Sequence, residues 1–162
     1  MAQVDYFLKI DGIKGESRDA KHAGEIEIES FSWGLSNSGT AHVGGGAGAG
    51  KAAFQDFSFL TPISSASPRL MVSCATGQHL KQAVLTARKA GGGQTEYYTI
   101  KLTEVLVSSY QQSGEGGEAP PIDSFSLNFA KIEVSYLEQD AKGGVVGSPI
   151  KGSWDLGANK GS

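Results

Sequence analysis

The sequence predicts a mainly β protein, an antiparallel β-barrel or tight sandwich with one short flanking α-helix and a long Gly-rich hairpin loop. Three observations predict it. Apolar and polar residues alternate with period two through most of the chain, glycine-rich turns separate the alternating runs, and no helix-length segments stand between them as a parallel βαβ sheet requires. At 162 residues the chain matches one ordinary domain, about 100–150 residues. It is read as a single domain over 1–162 with a flexible tail over 157–162.

The elements follow in order. Tyr6, Leu8 and Ile10 alternate with Phe7, Lys9 and Asp11, and Ile26 and Ile28 sit among Glu25, Glu27 and Glu29. Tyr98, Ile100 and Leu102 alternate with Thr99, Lys101 and Thr103, and Phe125, Leu127 and Phe129 with Ser126, Asn128 and Ala130. Each pattern marks a strand with one face in a core and the other in water. Gly12-Ile13-Lys14-Gly15, Ala90-Gly91-Gly92-Gly93 and Ser113-Gly114-Glu115-Gly116-Gly117 read as turns. A last short strand is expected around Lys151 to Leu156.

The apolar phase switches along four of these runs: after Ile28 to Phe31, Trp33 and Leu35; after Leu102 to Val105 and Val107; after Phe129 to Ile132 and Val134; and between Phe54 and Phe57. A β-bulge at each switch restores the side chains to their face and bends the strand, which a curling sheet needs. The rival reading is that strand ends bury both faces, with residues such as Phe7 and Val105 packing between subunits.

One helix is legible. Ser67 is placed as N-cap, Pro68 at the first helical position and Gly77 as the left-handed C-terminal closure. Leu70, Met71, Cys74 and Ala75 form its expected inward stripe, with Arg69 and Ser73 pointing elsewhere.

Composition excludes several function classes. Charged residues make 19% of the chain with a net charge of −3, so no basic field draws nucleic acid. Apolar runs such as Val105-Leu106-Val107 fall far short of the roughly 20 residues that span a bilayer, so no membrane insertion is expected. The start, Met1 to Tyr6, lacks the basic and apolar regions of a signal peptide, and Cys74 is the only cysteine. Both features favour the cytoplasm, leaving open export by a machine that reads no N-terminal signal.

The motifs that promise chemistry fail on inspection. Gly44 to Lys51 resembles a phosphate-binding run, but Ala52 stands where a P-loop needs Ser or Thr, and a strand pattern follows where a helix is required. His22, His42 and His79 have no partner at metal-site spacing, Cys74 has no cation to activate it, and Glu25, Glu27 and Glu29 read as a solvated face. No catalytic, cofactor or metal residue is expected, and no cofactor. What remains is a protein that binds or builds. Its small net charge weakens repulsion between copies, and heterologous contacts between copies give rings or filaments.

The chain resembles the haemolysin-coregulated protein family, Hcp, the tube-forming subunit of bacterial type VI secretion. The resemblance runs through Lys14-Gly15-Glu16-Ser17, Ser32-Trp33-Gly34, His42-Val43-Gly44 to Lys51, Gln55-Asp56-Phe57-Ser58-Phe59, Ser67 to Met71 with Cys74, Ala87 to Gly91, Glu104 to Ser109 and Leu127 to Ala130. It implies a homohexameric ring, with rings stacked into a tube inside a contractile sheath, a trimeric spike at the tip, and effector proteins in the lumen. It also implies a cytoplasmic stage followed by secretion. Since the chain ends soon after Trp154, any toxic activity is expected to belong to a passenger.

Site expectations follow from the resemblance. With Phe31, Trp33 and Leu35 turned inward, Ser32 and Ser36 face the other way, and if that strand lines the ring, Ser32 faces the channel. The loop from Ser38 through Gly39, His42, Gly44, Gly45, Gly46, Gly48 and Gly50 to Lys51 is placed at a subunit or ring–ring boundary. Its glycines allow close backbone approach there, and Lys51 is expected to pair with a carboxylate of the next chain. The competing readings are a monomeric β-barrel module for a ligand such as a carbohydrate, and a nucleotide-binding protein using Gly44–Lys51.

Overall fold

Alternation does produce strands. A computed structural model describes residues 4–38, 52–89 and 94–162. Its elements are β1 (Val4–Ile10), β2 (Ile26–Ile28), β3 (Ser30–Ser32), β4 (Leu35–Asn37), β5 (Ala52–Phe54), β6 (Phe57–Pro62), α1 (Ser67–Thr76), β7 (His79–Lys89), β8 (Glu96–Ser113), β9 (Ile122–Tyr136), β10 (Ile150–Asp155) and β11 (Lys160–Gly161). All strand pairs are antiparallel, and the main sheet runs β11-β10-β9-β8-β7-β1-β2. Residues 157–162, expected as a tail, include β11, which folds back on Trp154 and Asp155.

β9 is the spine. One edge pairs with β8 along its length, while the other is shared between β6, opposite Ile122 to Leu127, and β10, opposite Lys131 to Tyr136. β6 carries β3 on its far side. The segment from Ile26 to Ser32 therefore serves two neighbours, β1 through β2 and β6 through β3, and brings the sheet round on itself. The ladder is interrupted at Glu29, whose N–H donates instead to Leu60 O at 2.9 Å. The result is a tight sandwich rather than a closed barrel.

The phase switches have other causes than bulges. At Glu29 and at Gln55-Asp56 one strand ends and another begins, with a different partner. In β8 and β9 the switches lie opposite one another: Leu102 pairs with Ile132 and Val105 with Phe129, all four buried, with no register shift between them. Glu104, between Leu102 and Val105, adopts φ +52°, a left-handed conformation. The true shifts lie elsewhere, between Ala87 and Arg88 and between Val107 and Ser109. Phe7 and Val105 are buried by their own chain, at 3% and 0% exposure, so neither is left to pack against a neighbour.

The core centres on Phe57, Phe59, Phe125, Leu8, Ile100 and Leu127, all nearly or wholly inaccessible. Burying one such side chain contributes about 1.5–3 kcal/mol relative to exposure. Leu35, expected inside, is 54% exposed, while Phe31 and Trp33 are half-buried and stack on Phe57.

Helix α1 is where the sequence places it but begins differently. Ala66 occupies the N-cap, Ser67 is already helical, no side chain caps the first turn, and Gly77 closes the end at φ +66°. The buried stripe is Ser67, Leu70 and Ser73, leaving Met71 out in solvent and Cys74 half-buried. The rotation has a cause: the Ser67 hydroxyl donates to the buried Asp123 carboxylate on β9, which turns that residue inward.

Candidate functional site

Three short stretches alternate serine and phenylalanine: Ser30-Phe31-Ser32, Phe57-Ser58-Phe59 and Ser124-Phe125-Ser126. The antiparallel register lays them side by side. Phe31 pairs with Phe59 and Phe59 with Phe125, while Ser32 pairs with Ser58 and Ser58 with Ser126. The phenylalanines stack inward, Phe57 on Phe59 at 5.0 Å and Phe59 on Phe125 at 5.1 Å between ring centres. The serines stand on the opposite face, with Ser32 and Ser58 exposed.

β8 extends the row through its register shift. Two residues there oppose one on β9, as in a bulge. Both Ser108 and Ser109 bring their hydroxyls to Ser126, at 2.7 and 2.6 Å. Ser108 is also placed to donate to Asp56 Oδ2 at 2.6 Å, and Asn128 Nδ2 donates to Asp56 Oδ1 at 2.9 Å. The product is a face four strands wide, lined by small hydroxyls, on which the charge of Asp56 is satisfied by local donors. An aromatic stack of Phe57, Phe59 and Phe125 backs it.

Of the expected site residues, Ser32 belongs to this face. Ser36 does not join it: it lies on β4 opposite Ala53, in a separate two-stranded sheet, beside an apolar groove walled by Trp33, Leu35, Phe54, Val134 and Trp154. Ser38 is exposed just past the end of β4. Gly39, His42, Gly44, Gly45, Gly46, Gly48, Gly50 and Lys51 lie outside the described residues. β5, which follows the glycine run, is a strand, so the helix that phosphate binding needs is not there.

A second polar cluster, invisible in the spacing, fixes the loop between Ile13 and Glu25. Arg88, 3% exposed, donates from both terminal nitrogens to Asp19 at 2.8 Å each, and reaches Asp5 at 3.6 Å. The hydrogen bonds from Arg88 hold the Asp19 carboxyl well below the usual carboxylate range, against a smaller opposing effect of burial, and Asp19 in turn holds the guanidinium up. The guanidinium carbon lies 4.8 Å from the centre of the Phe7 ring, whose face also stacks on His22 at 4.4 Å. His22 Nδ1 meets Glu25 at 2.9 Å and Nε2 meets Glu96 at 2.6 Å. These partners stand up to 74 residues apart in the chain. A third cluster anchors α1: Asp123, 1% exposed, accepts from Ser67, from Tyr110 at 2.7 Å and from Gln112 at 3.0 Å. Burial first, and then this carboxylate, raises the Tyr110 hydroxyl.

Residues 7–136 match the family model described as type VI secretion system effector, Hcp. The chain belongs to the Hcp family of type VI secretion proteins. It is similar to the protein hcp1 of Pseudomonas aeruginosa, with 49% identity covering 96% of this chain and 97% of that one. Among solved structures it resembles a type six secretion system protein at 31% identity and a TM-score of 0.92, covering 99% of this chain and all of that one. It also resembles Hcp1 from Salmonella typhimurium at 36% identity and a TM-score of 0.80, with both chains fully covered.

Within this Hcp chain the matched region holds the entire hydroxyl face, the helix anchor and, apart from Asp5, the Arg88 and His22 cluster. The residues that complete the face (Ser58, Ser108, Ser109 and Ser126) were missed by reading one strand at a time. The repeated Ser-Phe alternation was the signal that could have found them, since equal patterns on neighbouring strands align when paired.

Proposed function

We propose that this chain is the tube subunit of a type VI secretion machine, working by assembly rather than by turning over a substrate. Six copies of a single-domain protein form a ring, rings stack into a tube inside a contractile sheath with a trimeric spike at its tip, and contraction expels the tube from the cytoplasm. The hydroxyl face through Ser32 lines the channel and carries effector proteins. The segment from Ser38 to Lys51 lies at the boundary between subunits or rings.

The observation that supports this reading is the face itself, in a member of this family. Ser32, Ser58 and Ser109 are exposed on a broad, nearly uncharged surface, and Ser126, on the fourth strand, is buried and hydrogen-bonded to Ser108 and Ser109. Small hydroxyls leave room for a passenger and hydrogen-bond it without demanding one sequence.

Negative-stain images and mass in solution test the assembly, since a ring is several times the 16.9 kDa of one copy. Ser32→Gln tests the face: rings should persist while cargo recovered with them falls. Equal recovery would remove Ser32 from the channel.

A further inference from the structure

Opposite charges gather at opposite ends of one face of the main sheet. Register places them on that face: Ser153 pairs with Glu133, Glu133 with Lys101, Lys101 with Val84 and Val84 with Lys9. Lys9 shares its side of β1 with Phe7, which pairs with Glu27. At the β8–β11 end a cleft is lined by Lys101, Lys131 and Lys160 together with Glu133 and Asp155. Its carboxylates are loosely engaged, Asp155 with Lys131 at 3.8 Å and Glu133 with Lys151 at 4.0 Å, and Lys101 and Lys160 have no carboxylate partner among the described residues. At the β1–β2 end a second cleft is lined by Asp5, Asp19, Glu27 and Glu29 with Arg18 and Arg88. There Arg88 is already held by Asp19 and Asp5, while the exposed Glu27 and Glu29 have no cationic partner among the described residues.

We propose that copies of this chain meet head to tail, the carboxylate end of one sheet, Glu27 and Glu29, against the lysine end, Lys101 and Lys131, of the next. The inference rests on the ring reading and names the surfaces that close the ring. A heterologous contact needs two different, complementary patches on one chain, and a closed ring uses both on every copy. Charge complementarity identifies the occupant as a second copy: the lysine end fits an acidic partner, the carboxylate end a basic one, and this chain supplies both. Such pairs set register and orientation and suppress the wrong encounter of two like ends.

Charge reversal tests it. Glu27→Lys with Glu29→Lys makes both ends positive, and Lys101→Glu with Lys131→Glu makes both ends negative. Each double variant should associate about tenfold or more weakly in sedimentation, with an unchanged circular dichroism spectrum. Mixing the two should restore rings in which they alternate, and the chain carrying all four substitutions should again assemble alone. Wild-type assembly should weaken between about 0.1 and 1 M salt, as the screening length falls from about 10 to about 3 Å. Should a reversed chain fail to fold, Glu27→Gln with Glu29→Gln replaces it, expected to weaken association in the same direction. Normal assembly of the reversed chains, or no recovery on mixing, overturns the contact and leaves the ring reading standing. A wild-type chain that stays monomeric overturns both.

Discussion

Arg88 grips Asp19 with two parallel hydrogen bonds of 2.8 Å, across 69 residues of sequence. This fork ties the loop between Ile13 and Glu25 to β7, over the buried face of Phe7. The Asp19 carboxyl titrates lower in the folded protein than in the unfolded chain. Its contribution is therefore present above the unfolded carboxylate value, about 4, and is lost as pH falls through the folded one. Asp19→Asn should lower the thermal midpoint at neutral pH, and the gap from wild type should close on acidification. Melts from neutral to strongly acidic pH check this; a constant gap would mean the pair does not carry the effect.

Phe57 lies at the junction of the aromatic stack, 0% exposed and in ring contact with Phe31, Trp33 and Phe59. Phe57→Ala opens a cavity no neighbour can fill and should cost about 3–5 kcal/mol. Urea unfolding measures it, and Ser58→Ala on the opposite face should stay within about 0.5 kcal/mol.

Asp123 is a buried carboxylate whose charge is spread over neutral donors. Asp123→Ala strands Ser67, Tyr110 and Gln112 and should cost about 3 kcal/mol, against about 1 kcal/mol for Ser67→Ala. A double-mutant cycle between the two should return a coupling of about 1 kcal/mol; additivity would mean that α1 is not anchored through this bond.

Gly15 is constrained by space rather than by conformation. A Cβ there would lie 2.5 Å from the backbone oxygen of Glu25, which has no flexible end to swing away. Gly15→Ala should displace the loop and raise hydrogen exchange from Ser17 to Glu25, the segment that the bonds Gly15 N–H to Gly24 O and Ser17 N–H to Glu25 O now hold. Unchanged exchange would show that the loop accommodates the methyl group.

Much of this architecture was legible in one dimension. Tyr98, Ile100 and Leu102, like Phe125, Leu127 and Phe129, announced their strands by period two, and Pro68 and Gly77 bounded the helix, because each signal lies within a few residues of what it specifies. The phase switches misled for the same reason. A change of parity marks a break, but whether it is a bulge, a new strand or an unshifted ladder such as Leu102–Ile132 and Val105–Phe129 depends on the partner strand. The Val107–Ser109 register shift, which gathers two hydroxyls on Ser126, leaves no hydrophobic trace at all.

By itself the sequence determined that the chain is antiparallel β with one short helix, that Ser32 turns away from the aromatic residues beside it, and which family it resembles. Tertiary structure alone decided that Ser32, Ser58 and Ser126 lie side by side across three strands, that Ser36 stands apart from them, and that Arg88 and His22 find their acids. The physical reason is range. Backbone preference and side-chain alternation act between neighbours along the chain, whereas hydrogen-bonded register and buried charge pairing act between residues that only folding brings within 3 Å.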